Sequence, residues 1–219
     1  MEQIKAFIFL DIEGTGIDGG NEIIEIALVS IHRSAIRDGN TDPRVVDKLV
    51  ICVDPGREVE YKESGLTQSM LSEHGKRIFD NNVGNQIALF LERQDQPASL
   101  IGHNGYEFDF LVLSKKLRSV GATIPSVRCG DSLVAFRKLQ PGKPKGTPGR
   151  RLSPYSMDSL YREAFRSNRT NSHNAEADAI ALMKVVINAG MNMCQWFDRN
   201  AIEKLPRFVG RSCERLNIP

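Results

Sequence analysis

The stretch Ala6-Phe-Ile-Phe-Leu-Asp-Ile-Glu-Gly-Thr-Gly16 decides how this chain reads. From Ala6 to Ile12 all but Asp11 are apolar, with Phe and Ile prominent, which is the pattern of a strand buried on both faces at the centre of a sheet. Asp11 and Glu13 stand two apart, so on a strand both carboxylates project to the same side. Two like charges there repel unless a cation lies between them or solvent reaches them. Taken alone, a strand that has run out into water explains the pair as well as a binding site does. The following Gly14-Thr15-Gly16 lacks the third glycine and the helix that a nucleotide-binding loop requires.

Outward from this strand, IIEIALVSI (from Ile23) and KLVICV (Lys48 to Val53) read as two more strands, separated by a polar, turn-rich segment. Short connections make this an antiparallel start. Helical spacing then appears from Leu66 to Leu71 and from Phe79 to Leu91, where Val83, Ile87, Phe90 and Leu91 share a face. A short strand from Ser99 to Gly102 leads to a helix from Phe108 to Val120. Cys129 to Leu139 is a short strand running into a helix, and helices follow from Ser156 to Phe165 and from Ala175 to Asn188. The expected fold is α/β, a mixed central sheet of about five strands, antiparallel first and then parallel, with helices on both faces. We expect one domain over residues 1–219.

Two further acidic segments close such elements. In Gly102-His103-Asn104-Gly105-Tyr106-Glu107-Phe108-Asp109-Phe110, Asp109 begins an apolar-faced helix. In Ser172-His173-Asn174-Ala175-Glu176-Ala177-Asp178, Asp178 lies in the first turns of a long one. Each alone is explained by a carboxylate at a helix N-terminus. Together, Asp11, Glu13, Asp109 and Asp178 supply four carboxylates from separate elements, the donor set that hard divalent cations prefer for phosphoryl transfer. His173 adds an imidazole that can serve as a base.

At these residues the chain resembles the DEDDh branch of 3′-to-5′ exonucleases, whose fold is the ribonuclease H-like mixed sheet. The three motifs stand as Phe9-Leu-Asp-Ile-Glu-Gly-Thr-Gly16, His103-Asn-Gly-Tyr-Glu-Phe-Asp109 and His173-Asn-Ala-Glu-Ala-Asp178, in order. Val46-Asp-Lys-Leu to Pro55-Gly56, Ser64-Gly-Leu-Thr67 and Tyr155-Ser-Met-Asp-Ser-Leu-Tyr161 are similar to the three-prime repair deoxyribonucleases, so the likeness runs from about residue 5 to residue 200. Gly14 stands where alanine is more usual in the family, and residues 190–219 match weakly.

The resemblance implies that Asp11, Glu13, Asp109 and Asp178 hold two Mg2+ ions, with Mn2+ as a substitute. His173 is then the general base for a water attacking the last phosphodiester, releasing nucleoside 5′-monophosphates from the 3′ ends of single-stranded or frayed double-stranded DNA. It further implies that Glu13, Gly14, Thr15, Ile17, Leu66, Phe108 and His173 contact the terminal nucleotides, and that the Lys48 to Val53 edge strand forms a homodimer. Core packing remains the alternative for Ile17, Leu66 and Phe108. An RNA-trimming enzyme of the same branch, or a nucleic-acid-binding module that has lost catalysis, are the competing functions.

Composition sets the outer limits. The chain has 219 residues, is 41% hydrophobic and 26% charged, and carries a formal net charge of +2, values of an ordinary folded domain rather than a disordered or coiled-coil chain. No apolar run approaches the roughly 18 residues of a membrane span, and the acid in the first five residues argues against a signal peptide. We expect an intracellular protein, nuclear or cytoplasmic, with no membrane partner. Cys52, Cys129, Cys194 and Cys213 are too scattered for structural zinc or a disulfide framework. The stretch between Ser132 and Met157 has no acid but holds Arg137, Lys138, Lys143, Lys145, Arg150 and Arg151, and seven of the fifteen positions from Gln140 to Pro154 are proline or glycine. A long loop that tracks DNA phosphates through Lys143, Lys145, Arg150 and Arg151 fits this composition, as does a solvated loop.

Overall fold

The computed structural model describes residues 2–15, 22–36, 42–56, 64–73, 78–142, 153–206, 208–209 and 212–213. Strand β1 (Ala6–Gly14) lies at the centre of a five-stranded sheet in the order β3-β2-β1-β4-β5. It pairs antiparallel with β2 (Ile23–His32), which pairs antiparallel with β3 (Asp47–Cys52). On its other side it runs parallel to β4 (Ala98–Gly102), which runs parallel to β5 (Arg128–Asp131). The expected mixed sheet is therefore the observed one.

Period-2 alternation along β1 sorts its side chains between two cores. Phe7 and Phe9 join Ala27, Val29 and Ile31 beneath α6 (Ala175–Asn188) and α7 (Met191–Asn200), where Ala179, Leu182, Val186 and Phe197 are buried. Ile8, Leu10 and Ile12 join Ile26 and Leu28 beneath α2 (Asn81–Glu92) and α3 (Asp109–Ser119), which contribute Val83, Ile87, Phe90, Phe110, Leu113 and Leu117. Each such side chain removed from water contributes about 1.5–3 kcal/mol before its ordering cost. Smaller helices complete the layers: α1 (Gln68–Glu73), α4 (Ser132–Leu139) and α5 (Met157–Phe165).

Helix starts follow local chemistry. Asp80 accepts the N–H of Val83 at 2.9 Å to begin α2, and Asn174 accepts that of Ala177 at 2.9 Å to begin α6. Three features depart from the sequence reading. β1 continues two residues past Ile12, because Glu13 and Gly14 still pair with β2 across a bulge. Helix α7 and a two-strand ribbon, Phe208–Val209 with Ser212–Cys213, were not anticipated. Arg33 fixes α7 to the sheet edge: its Nη2 lies 2.8 Å from Asp198 Oδ2, its Nη1 donates to Ile4 O at 3.0 Å, and its guanidinium stacks over Phe7. Among the described residues no single helix is long and apolar enough to cross a membrane.

Candidate active site

Because β1 and β4 are parallel, the end of β1 and the turn after β4 open on the same edge of the sheet, the usual place for a site in such folds. Asp11 and Glu13 point from that end of β1 to the α6 side. Opposite Asp11 is Ala27, and opposite Glu13 is Glu25. Glu25 is 4% exposed and turns to α6, where Oε2 accepts the N–H of Ala175 at 3.0 Å and Oε1 faces the Asn174 amide at 3.5 Å. This contact holds the first turn of α6 against the strand pair. Asp178 is thereby brought to the two β1 carboxylates, so that one oxygen from each of Asp11, Glu13 and Asp178 lies within 4.8 Å of the others.

Asp109 arrives from the other neighbour of β1. The turn before it folds around Asp131, whose buried carboxylate accepts four backbone N–H groups: Asn104 at 3.2 Å, Tyr106 at 3.1 Å, Leu133 at 2.8 Å and Val134 at 3.3 Å. Gly105 is required in this turn, since a Cβ there would come within 2.8 Å of the Phe110 ring. Asp109 itself is 5% exposed at the first turn of α3, with no capping bond from its neighbour Phe108. His103 shares a hydrogen bond with Ser132 Oγ at 2.9 Å, and burial pulls its pKa down to about 4.

Burial pushes the Asp109 carboxyl up to about 7. Burial, then the charges of Asp109, Asp178 and Glu13, push Asp11 well above the usual carboxylate range. Asp178 is raised by burial as well, partly offset by Arg169. Hard oxygen donors crowded together at an energetic cost of this kind fit a divalent cation, whose charge reverses the repulsion. His173 is exposed, has a positive φ of 67° and donates its backbone N–H to Asp178 Oδ2 at 3.0 Å. The residue therefore sits at the rim of the cluster, next to the carboxylate its own backbone orients.

Three residues here are not marked out in the sequence, Glu25, Asp131 and Arg169. Arg169 is 10% exposed and bridges two helices, with Nε donating to Asp158 Oδ1 at 2.7 Å and Nη1 donating to Asp178 Oδ1. A polar residue inside the apolar run of β2 was the available signal for Glu25. Arg169 lies in an irregular segment with no pattern to mark it.

Residues 8–186 match the family model described as Exonuclease. The chain belongs to the exonuclease family. It is 35% identical over 209 residues to human three prime repair exonuclease 2, covering 90% of this chain and 89% of that protein. It is 33% identical over 214 residues to human three-prime repair exonuclease 1, covering 90% of this chain and 68% of that one. With these relatives, the chain is a 3′-to-5′ exonuclease. The same fold recurs in the zinc-bound complex of E. coli exonuclease I with single-stranded DNA, at 16% identity and a TM-score of 0.65 over 90% of this chain and 43% of that one. A full-length 3′-exonuclease matches it at 10% identity and a TM-score of 0.65, over 100% and 95% of the two chains.

The expected substrate contacts of the exonuclease fall into three groups. Gly14 and Phe108 are neighbours, since a Cβ on Gly14 would lie 3.8 Å from the tip of the Phe108 ring, and Thr15 closes on Glu22 by a backbone bond at 3.0 Å and a side-chain bond at 3.2 Å. Leu66 is half-buried just before α1, its N–H bonded to Ser64 Oγ at 3.3 Å. Ile17, Lys143, Lys145, Arg150 and Arg151 lie outside the described residues, and with them most of the basic loop.

Proposed function

We propose that this exonuclease removes nucleoside 5′-monophosphates from the 3′ ends of DNA, single-stranded or frayed duplex, using Mg2+ held by Asp11, Glu13, Asp109 and Asp178. The observation that carries the reading is the convergence of Asp11, Glu13 and Asp178 oxygens within 4.8 Å at the end of the central strand. The repair function in the names of the 33–35% identical relatives favours DNA over RNA. We take the whole chain as one exonuclease domain.

Divalent cations bound by these carboxylates would supply Lewis acidity at the scissile phosphate and its leaving 3′-oxygen. The chain's own residues do the rest. Asp178 is fixed by the His173 N–H, and Asp109 is held rigidly by the first turn of α3 and the Asp131 turn behind it. His173, on the solvent side, takes the proton of the attacking water and passes it to bulk. Gly14, Thr15 and Phe108 form the floor against which the terminal base and sugar lie, a contact tolerant of sequence because every base has an apolar face, and the family resemblance adds Ile17 and Leu66 as further contacts. Lys143, Lys145, Arg150 and Arg151 follow the phosphate backbone, and neutralising all four weakens DNA binding and flattens its salt dependence.

β3 is the outer strand of the sheet, and its Lys48 to Val53 edge is where a second copy would add its own β3 to form a homodimer. Sedimentation velocity at micromolar concentration checks this, a dimer being the expected species. The activity itself is tested with matched DNA and RNA single strands labelled at their 3′ ends, then a DNA duplex, in Mg2+ and in EDTA. Rapid Mg2+-dependent release from DNA and slow release from RNA are expected; faster release from RNA would make the enzyme a ribonuclease.

A further inference from the structure

We infer that Arg169 is a resident cation of the carboxylate cluster, a positioning residue that orients Asp178 while weakening its hold on divalent ions. The inference rests on the reading of Asp178 as a metal ligand. Its side chain is 10% exposed and its guanidinium reaches across two helices, to Asp158 at the start of α5 and to Asp178 in the first turn of α6. The Asp158 side chain is 40% exposed and that of Asp178 13% exposed, so the arginine is anchored outside and its charge is delivered inside.

The consequence follows from counting partners on Asp178. Oδ1 accepts from Arg169 Nη1 and Oδ2 accepts the His173 N–H at 3.0 Å. Both oxygens are therefore engaged by the chain itself. A divalent ion binding Asp178 must share it with a fixed guanidinium of the same sign, which is repulsive in a partly desolvated site. The same guanidinium keeps the carboxylate in one rotamer. Arg169 thus trades affinity for order, and sets the divalent-ion concentration at which the site fills.

Mn2+ binding to the full chain, followed by electron paramagnetic resonance or calorimetry without nucleic acid, reads this directly. Arg169→Gln is expected to bind Mn2+ more tightly, on the order of tenfold, because a fixed like charge beside the ion is removed. Arg169→Lys keeps the charge and is expected to stay within about threefold of the parent. Asp158→Asn leaves the guanidinium on Asp178 alone and weakens binding, and that effect shrinks in an Arg169→Gln background because the two residues act through one another. Unchanged or weaker binding in Arg169→Gln, with the parent binding normally, overturns the role of Arg169 and leaves the metal site standing. A parent chain that binds no Mn2+ overturns the metal site and this inference together.

Discussion

Glu25 Oε2 accepts the backbone N–H of Ala175 at 3.0 Å, tying the first turn of α6 to the strand residue opposite Glu13. One buried carboxylate thus brings together acidic side chains that are far apart in sequence. Burial raises the Glu25 pKa, and the Ala175 N–H partly offsets it. Removing the side chain leaves that buried N–H without its acceptor and loosens Asp178. Glu25→Ala is expected to lose about 1–3 kcal/mol in urea unfolding and to lower kcat more than KM. Glu25→Gln, which can still accept the bond, should recover most of both; equal losses in the two variants would point to the charge instead.

His173 is exposed at the rim of the cluster, where its backbone N–H serves Asp178. His173→Ala removes the proposed proton acceptor but not the backbone bond. Turnover is expected to fall about 100-fold or more, with DNA affinity and Mn2+ affinity nearly retained. Undiminished turnover removes the ring from the reaction.

Legibility in the sequence differed from one part of the molecule to another. The central strand, the antiparallel start and the long α6 could be read because buried strands and amphipathic helices leave periodic apolar patterns. The four candidate carboxylates and His173 stand out in the sequence because they close such elements and match the family's motifs. What could not be read acts across the chain. Asp131 looks like an ordinary helix cap for α4, yet it also folds the turn before Asp109, and nothing in its neighbours reports the second pair of bonds. Arg169 is one arginine among many until Asp158 and Asp178 are brought to it. The Arg33 to Asp198 contact, 165 residues apart, is invisible for the same reason.

That contact predicts a variant with a purely structural defect. Arg33→Ala breaks a two-pronged ion pair, exposes the Ile4 carbonyl and uncovers the Phe7 ring. Loss of about 2–4 kcal/mol in chemical unfolding is expected, because partners are left partly buried and unpaired. Turnover at low temperature, where the variant is fully folded, should match the parent; a catalytic defect there would mean that α7 reaches the active site.

The acid cluster also gives the protein a pH-dependent stability in EDTA. Burial raises the Asp109 carboxyl to about 7, from an ordinary value near 4, and Asp11 is raised too. The folded chain therefore holds more protons than the unfolded chain between about pH 4 and pH 7, so this contribution to stability is intact below pH 4 and lost as pH climbs to 7. For Asp109 the loss is at most about 4 kcal/mol. Urea midpoints measured across this range should fall more steeply for the parent than for Asp109→Asn, and added Mg2+ should reverse much of the parent's loss at pH 7. Parallel pH curves for the two proteins would place the Asp109 charge in a better-solvated setting.

The most direct measurement is single-turnover release of nucleoside 5′-monophosphate from a 3′-labelled DNA strand by the parent and by Asp11→Asn, each in saturating Mg2+. The substitution keeps the shape of the side chain and removes the charge at the centre of the cluster. Parent activity that vanishes in EDTA and falls about 1,000-fold or more in Asp11→Asn, with the DNA still bound, is the expected result. Release by Asp11→Asn within about tenfold of the parent would contradict a cation-bearing carboxylate cluster as the seat of catalysis.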